Sequence, residues 1–283
     1  MEAPTRNHRL ALSTRLAQPL IVATAILLLL GFLLNTPAGL LGKADAIGYA
    51  VCHRIDLRSF HLGERQLPLC ARCSGMYLGA LLGLIYQSFT APRFSGMPPR
   101  RLLFVLGGLL LAFAIDGTNS LLSLMPGAPL LYPPHNTFRL ITGTGMGLTI
   151  AALLYPAFNE TVWQDREERP ALSNFRSLGI LLMLGILLDG LVISGNPLIL
   201  YLLALSSAGG VLALLTLIYT MVWLMLLHAE NRFCRPVELL PSLTAGFVLA
   251  LLQIALFDLI RHLLTGSWDG FRLGKVPQNV TTL

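Results

Sequence analysis

Charge is what this chain lacks. Only 12% of its 283 residues are Asp, Glu, Lys or Arg, while 54% are apolar and the mean hydropathy is +0.69. Soluble domains carry about twice that charged fraction, so a soluble globular protein is excluded. The few charges are also gathered together. Leu16–Gly42, Ser74–Pro92, Leu140–Asn159 and Leu239–Phe257 hold none, and Leu102–Ile115 and Ser177–Leu188 each run uncharged into an aspartate. A bilayer core takes roughly 20 apolar residues per helix. These runs, with Leu191–Leu227, predict seven spans near 17–36, 74–91, 101–124, 138–158, 176–195, 198–227 and 240–262. The fold class is all-α, a polytopic transmembrane helix bundle forming one domain over residues 1–283.

Length between the spans is equally short. The longest connection, residues 37–73, leaves no room for a soluble domain, so the net charge of +6 is a topology signal and not a nucleic-acid footprint. The N-terminus looks like a secretory signal, with Arg6, Arg9 and Arg15, an apolar core, then Ala44-Asp45-Ala46. The apolar core is longer than a signal's, and the Ala-x-Ala lies far past its end, so an uncleaved first span is expected. Once four arginines inside the connection are set aside, the basic residues favour a cytoplasmic N-terminus. In a cell (plasma) membrane that puts the 37–73 connection on the extracytoplasmic side.

Polar residues then gather at one membrane face. Asp116 lies about 22 Å along an outward-running helix from Arg101, at 1.5 Å per residue, and Asp189 lies similarly beyond Arg176. Asp258, Arg261 and His262 close the seventh span, and Asn136 and Arg139 open the fourth. Ionisable groups within spans are costly and face a cavity or a partner. Each aspartate alone is also explained by pairing with a nearby arginine.

That face carries the densest polar stretch, CHRIDLRSFHLGERQLPLCARCSGMY, Cys52 to Tyr77. Cys70-Ala-Arg-Cys73 is a C-x2-C, and Cys52-His53 precedes it. Three thiolates and an imidazole match tetrahedral zinc, but the second ligand pair in its usual spacing is missing. His61 or a span aspartate competes with His53 for the fourth position. Redox-active thiols are an open alternative, since Pro68 suits the first turn of a helix that would begin near Cys70 and lower its pKa. A plain disulfide or free thiols is another. Cys234 is a bystander on the opposite face.

Arg54, Arg58, Arg72 and Arg139 are candidate anion-binding residues, because guanidinium offers paired donors to phosphate or carboxylate. Arg54 and Arg58, four apart, would share a helix face. Interfacial snorkelling against lipid is the competing explanation. Ser59 has no base beside it and is not a nucleophile. Gly75, Gly79 and Gly83, and likewise Gly143, Gly145 and Gly147, are small-residue stripes for close helix approach; neither is a phosphate-binding loop.

With "CHR…RSF", "QLPLCARCSGMYLG", "DGTNSLL" and "NTFRLITGTGMG" on the page, residues 46–158 resemble a family of bacterial and archaeal multi-pass membrane proteins, a domain of unknown function. The pattern falls on Cys52, His53, Arg58, Ser59, Cys70, Arg72, Cys73, Gly75, Asp116, Gly117, Arg139, Thr142 and Gly143. The chain departs from it with Asn119 where glutamine is expected and with a longer Leu-Pro-rich connection before Asn136. Residues 176–263 are an extension beyond the pattern. The resemblance implies a membrane protein and brings no reaction.

The leading expectation is a metal site, zinc on Cys52, His53, Cys70 and Cys73, with Arg54, Arg58, Arg72 and Arg139 holding an anionic group. Asp116 would be an acid/base group or the fourth ligand. The alternatives are a quinone-linked membrane thiol–disulfide oxidoreductase and a protein that binds or transports an anionic lipid or polyprenyl phosphate. Membrane lipids are the expected partners, with no nucleic acid.

Overall fold

The computed structural model describes residues 5–268, with side chains from Pro19 onward. The side chains of Arg6, Arg9 and Arg15 and the stretch 269–283 lie outside the described residues. Eight helices account for nearly all the regular structure: α1 (Thr5–Asn35), α2 (Gly39–Val51), α3 (Ala71–Thr90), α4 (Arg100–Leu122), α5 (Asn136–Val162), α6 (Phe175–Ile193), α7 (Pro197–Leu226) and α8 (Pro236–Thr265). All but α2 fall on the seven expected runs. Five of them, α4 to α8, are long and apolar enough to cross a bilayer, and a sixth span arises if α1 and α2 count as one broken element. Large apolar side chains such as Phe104, Met183 and Leu263 point outward, as lipid-facing positions do.

α2 was hidden inside the 37–73 connection. It meets the preceding helix at 107°, across Thr36-Pro37-Ala38, where a proline bars the helical hydrogen bond and disfavours helix before it. Gly39 follows with φ +79°, a conformation glycine adopts without penalty. Ala44 and Ala46 of the signal-like triplet are buried in the core, and Asp45 between them is ion-paired.

The centre of the bundle is the α3–α5 pair, the most extensive contact in the molecule. The glycine stripes explain it. A Cβ added at Gly75 would sit 2.3 Å from the carbonyl oxygen of Leu140, and one at Gly143 2.2 Å from that of Arg72, so each backbone occupies the space a side chain would need. Gly145 faces α4 instead, against Leu109.

Two small sheets close the ends. Between α2 and α3 the chain makes a 3-10 turn (Asp56–Arg58) and an antiparallel hairpin, β1 (His61–Leu62) and β2 (Arg65–Gln66). β3 (Phe94–Gly96) pairs in parallel with β4 (Glu167–Pro170). α3 spans about 30 Å at 1.5 Å per residue, so the hairpin lies at one end of the bundle and the β3–β4 pair at the other.

Candidate metal centre and arginine cluster

Three cysteines reach one place from two helix ends. Cys52 is the C-cap of α2, Cys70 the N-cap of α3, and Cys73 lies in the first turn of α3. The helix starts at Ala71, so Pro68 stands outside it and not in its first turn as expected. The Sγ atoms of Cys52, Cys70 and Cys73 all lie within 4.8 Å of one another, close enough to hold a metal ion. All three are free thiols. No fourth His, Cys, Asp or Glu joins the group among the described residues. The exposed His53 is not a member of it, nor is Cys234, which lies exposed in the α7–α8 connection.

The chain works to hold Cys52 there. Arg54 takes φ +50°, a left-handed conformation rare for a side-chain-bearing residue, and this turns the backbone immediately after α2. The turn aims the Arg54 amide at Cys52 Sγ, and the Cys70 amide points at the same atom, each at 3.4 Å. From α8 the Arg261 guanidinium donates to the carbonyls of Tyr49, Cys52 (2.6 Å) and His53 (3.2 Å). The first two are carbonyls that the end of a helix leaves without partners. Sequence reasoning placed Arg261 on this face without this role.

Protons are shared unevenly among the three thiols. Hydrogen bonds from Cys52 and then Cys73 hold the Cys70 thiol well below its usual range. Cys52, donating to Cys70 and buried, is pushed up to about 11. Of these two thiols Cys70 is the more readily ionised.

Beside the triad stands a second cluster. Asp116, 1% exposed, accepts from Arg72 Nε at 3.1 Å, from Arg72 Nη2 and from the Tyr132 hydroxyl at 2.8 Å. The pairing explanation thus describes Asp116, which joins α4 to α3. Asp189 accepts from Thr144 at 2.6 Å in a separate place. Ser120, one turn beyond Asp116, binds two more arginines: Arg58 Nη2 donates to its carbonyl at 2.7 Å, and Arg139 Nε to its hydroxyl at 3.0 Å. Asn136 accepts from Arg139 Nη1 at 2.8 Å and donates to the Ser59 carbonyl at 3.2 Å, tying α5 to the connection.

Arg54 stands apart from these three. It pairs with Asp45 at 2.9 Å, and Arg65 takes the other carboxylate oxygen of Asp45. It does not share a helix face with Arg58, because no helix runs between them, only the turn at Arg54 and the 3-10 turn. Asp45, Ser120 and Tyr132 were not among the sequence candidates. Their signals are weak: an aspartate between two alanines, and two polar residues of the kind found at many helix ends.

Comparison with known proteins adds the following. The profile of the family described as "Predicted membrane protein (DUF2085)" matches residues 52–153. An uncharacterised protein of the archaeon Methanocaldococcus jannaschii is 29% identical over 119 residues, 42% of this chain and 70% of that protein. An uncharacterised protein of Methanothermobacter thermautotrophicus is 30% identical over 105 residues, 36% of this chain and 83% of that protein. No solved structure matches the chain.

Proposed function

The chain belongs to the DUF2085 family of predicted membrane proteins, and on that premise we propose that it carries a zinc site on Cys52, Cys70 and Cys73. The site lies at the membrane interface beside an arginine–aspartate cavity, on the extracytoplasmic side of the plasma membrane with the N-terminus in the cytoplasm. The observation that carries the reading is the meeting of three sulfurs within 4.8 Å from two separate helix ends. Thiolates are soft ligands that suit zinc, and the two backbone amides directed at Cys52 Sγ favour its charged form. Three protein ligands leave one position of a tetrahedral ion for water or a substrate group, where the ion would act as a Lewis acid. His53 is the nearest sequence neighbour able to close that position instead. Arg58, Arg72 and Arg139 would orient an anionic group, and Asp116 would hold Arg72 in place.

The test is metal content of detergent-purified protein beside a Cys70→Ser/Cys73→Ser variant. The expected result is about one zinc per chain in the parent and none in the variant, since thiolate ligation supplies most of the binding. Protein purified without chelators and free of metal would reject the reading. A second reading, a thiol–disulfide oxidoreductase linked to quinone, is favoured by the position of Cys70 at a helix N-cap with a depressed pKa. It expects metal-free protein in which Cys70 is alkylated fast and cycles between thiol and disulfide.

A further inference from the structure

The charges around Ser120 do not balance. Arg58, Arg72 and Arg139 gather there, and the only carboxylate paired with any of them among the described residues is Asp116, on Arg72. The other carboxylates of the connection stand elsewhere: Asp45 pairs with Arg54 and Arg65, Asp56 with His61, and Glu64 is exposed in the hairpin turn with no ion pair to any of the three arginines. Arg139 is nonetheless 6% exposed. Arg58 is half-buried, and the acidic groups beside the three guanidinium charges are the paired Asp116 and the Cys70 thiol, so positive charge is in excess there, and an unbalanced, partly buried charge is costly. Neutral oxygens alone hold two of these three. Arg58 uses only Nη2, on Ser120 and Ser123, and Arg139 uses Nε and Nη1. Arg58 therefore keeps Nε and Nη1, and Arg139 keeps Nη2, without a protein acceptor among the described residues. Guanidinium donors from two residues can together bind two oxygens of one phosphate.

The surroundings say what carries that phosphate. Two exposed apolar side chains are tied to the cluster: the Phe138 ring packs on Tyr132, which bonds Asp116, and the Leu57 carbonyl accepts from Asn136, the partner of Arg139. A free ion has no use for such a rim, whereas an acyl chain does. We propose that Arg58 and Arg139, beside the Asp116-paired Arg72, bind the phosphate of an anionic membrane lipid, whose chains lie against Leu57 and Phe138. The inference goes beyond the metal reading and stands without it.

The experiment uses full-length protein in detergent. It is mixed with micelles containing dioleoyl phosphatidic acid or dioleoyl phosphatidylcholine, and bound lipid is counted by native mass spectrometry. Inorganic phosphate is titrated separately by calorimetry. The expected result is a preference of about tenfold or more for phosphatidic acid, the size of one charge-assisted bond. Arg58→Gln and Arg139→Gln should lose it, while Arg65→Gln, which touches only the Asp45 pair, keeps it. Arg58 lies in a connection, so its variant decides the matter even if the buried Arg139 variant unfolds. Phosphate binding that Arg58→Gln abolishes, with no lipid preference, would keep the anion site and overturn the lipid. Equal retention of both lipids with no phosphate binding, or an Arg58→Gln variant that behaves as the parent, overturns the site. Zinc is measured on the same samples, so loss of metal with lipid selectivity intact counts against the metal reading alone.

Discussion

Arg72 sits between two thiols and a carboxylate, and this placement couples the two clusters. Its backbone lies within the C-x2-C turn, while its side chain binds Asp116 on α4. Asp116→Asn would leave Arg72 with no charge partner and three arginines around Ser120 with no carboxylate. It is expected to cost about 3 kcal/mol, the scale of breaking a buried pair, read as a lowered unfolding temperature in detergent. The thiols differ in the opposite sense from one another. Because Cys70 is depressed, its thiolate contributes stability above the unfolded thiol pKa, and that contribution is lost as pH falls through the folded value. Because Cys52 is raised to about 11, its neutral form contributes at lower pH and is lost as pH rises through about 11. Peptide-mapped alkylation of metal-free protein should therefore modify Cys70 at neutral pH and Cys52 only in strong alkali, and added zinc should protect both.

At the scale of elements, the α3–α5 seam decides where the site can be. Gly143 lies against the carbonyl of Arg72, one of the two residues between Cys70 and Cys73. Gly143→Val has no space to enter and is expected to cost at least about 2 kcal/mol through overpacking. It should also lower zinc content if the proposed site is correct, because the displaced backbone is that of the turn carrying Cys70 and Cys73. Gly145→Ala, whose new methyl would meet only the flexible Leu109 side chain at 3.3 Å, should change zinc content little. The stripes were legible as close-approach devices, since small residues every four positions form one helix face. Which glycine meets which neighbour was not, because it depends on the rotation of each helix in the assembled bundle.

At the scale of the molecule, the site occupies one end of the bundle and the α7–α8 connection belongs to the other end in the proposed orientation. Cys234 is exposed in that connection. In intact right-side-out cells a membrane-impermeant maleimide should therefore leave Cys234 unlabelled, and inside-out vesicles should label it. Labelling in intact cells would reverse the orientation and place the cysteine triad in the cytoplasm.

The apolar runs determined by themselves that this is a helical membrane protein, and where its long helices lie. The thickness of a bilayer sets the length of each run, and a local count reads it. The C-x2-C was legible for the same reason, since its two thiols are neighbours in any helical turn. Arrival of Cys52 beside that pair was decided only by tertiary structure. It depends on the bend at Pro37, the left-handed turn at Arg54 and the Arg261 cap from α8, which is more than two hundred residues away. The same turn sends Arg54 to Asp45 and Arg58 to Ser120, although four residues separate them. Periodicity describes one helix at a time, whereas pairing a charge requires knowing which helix stands beside it.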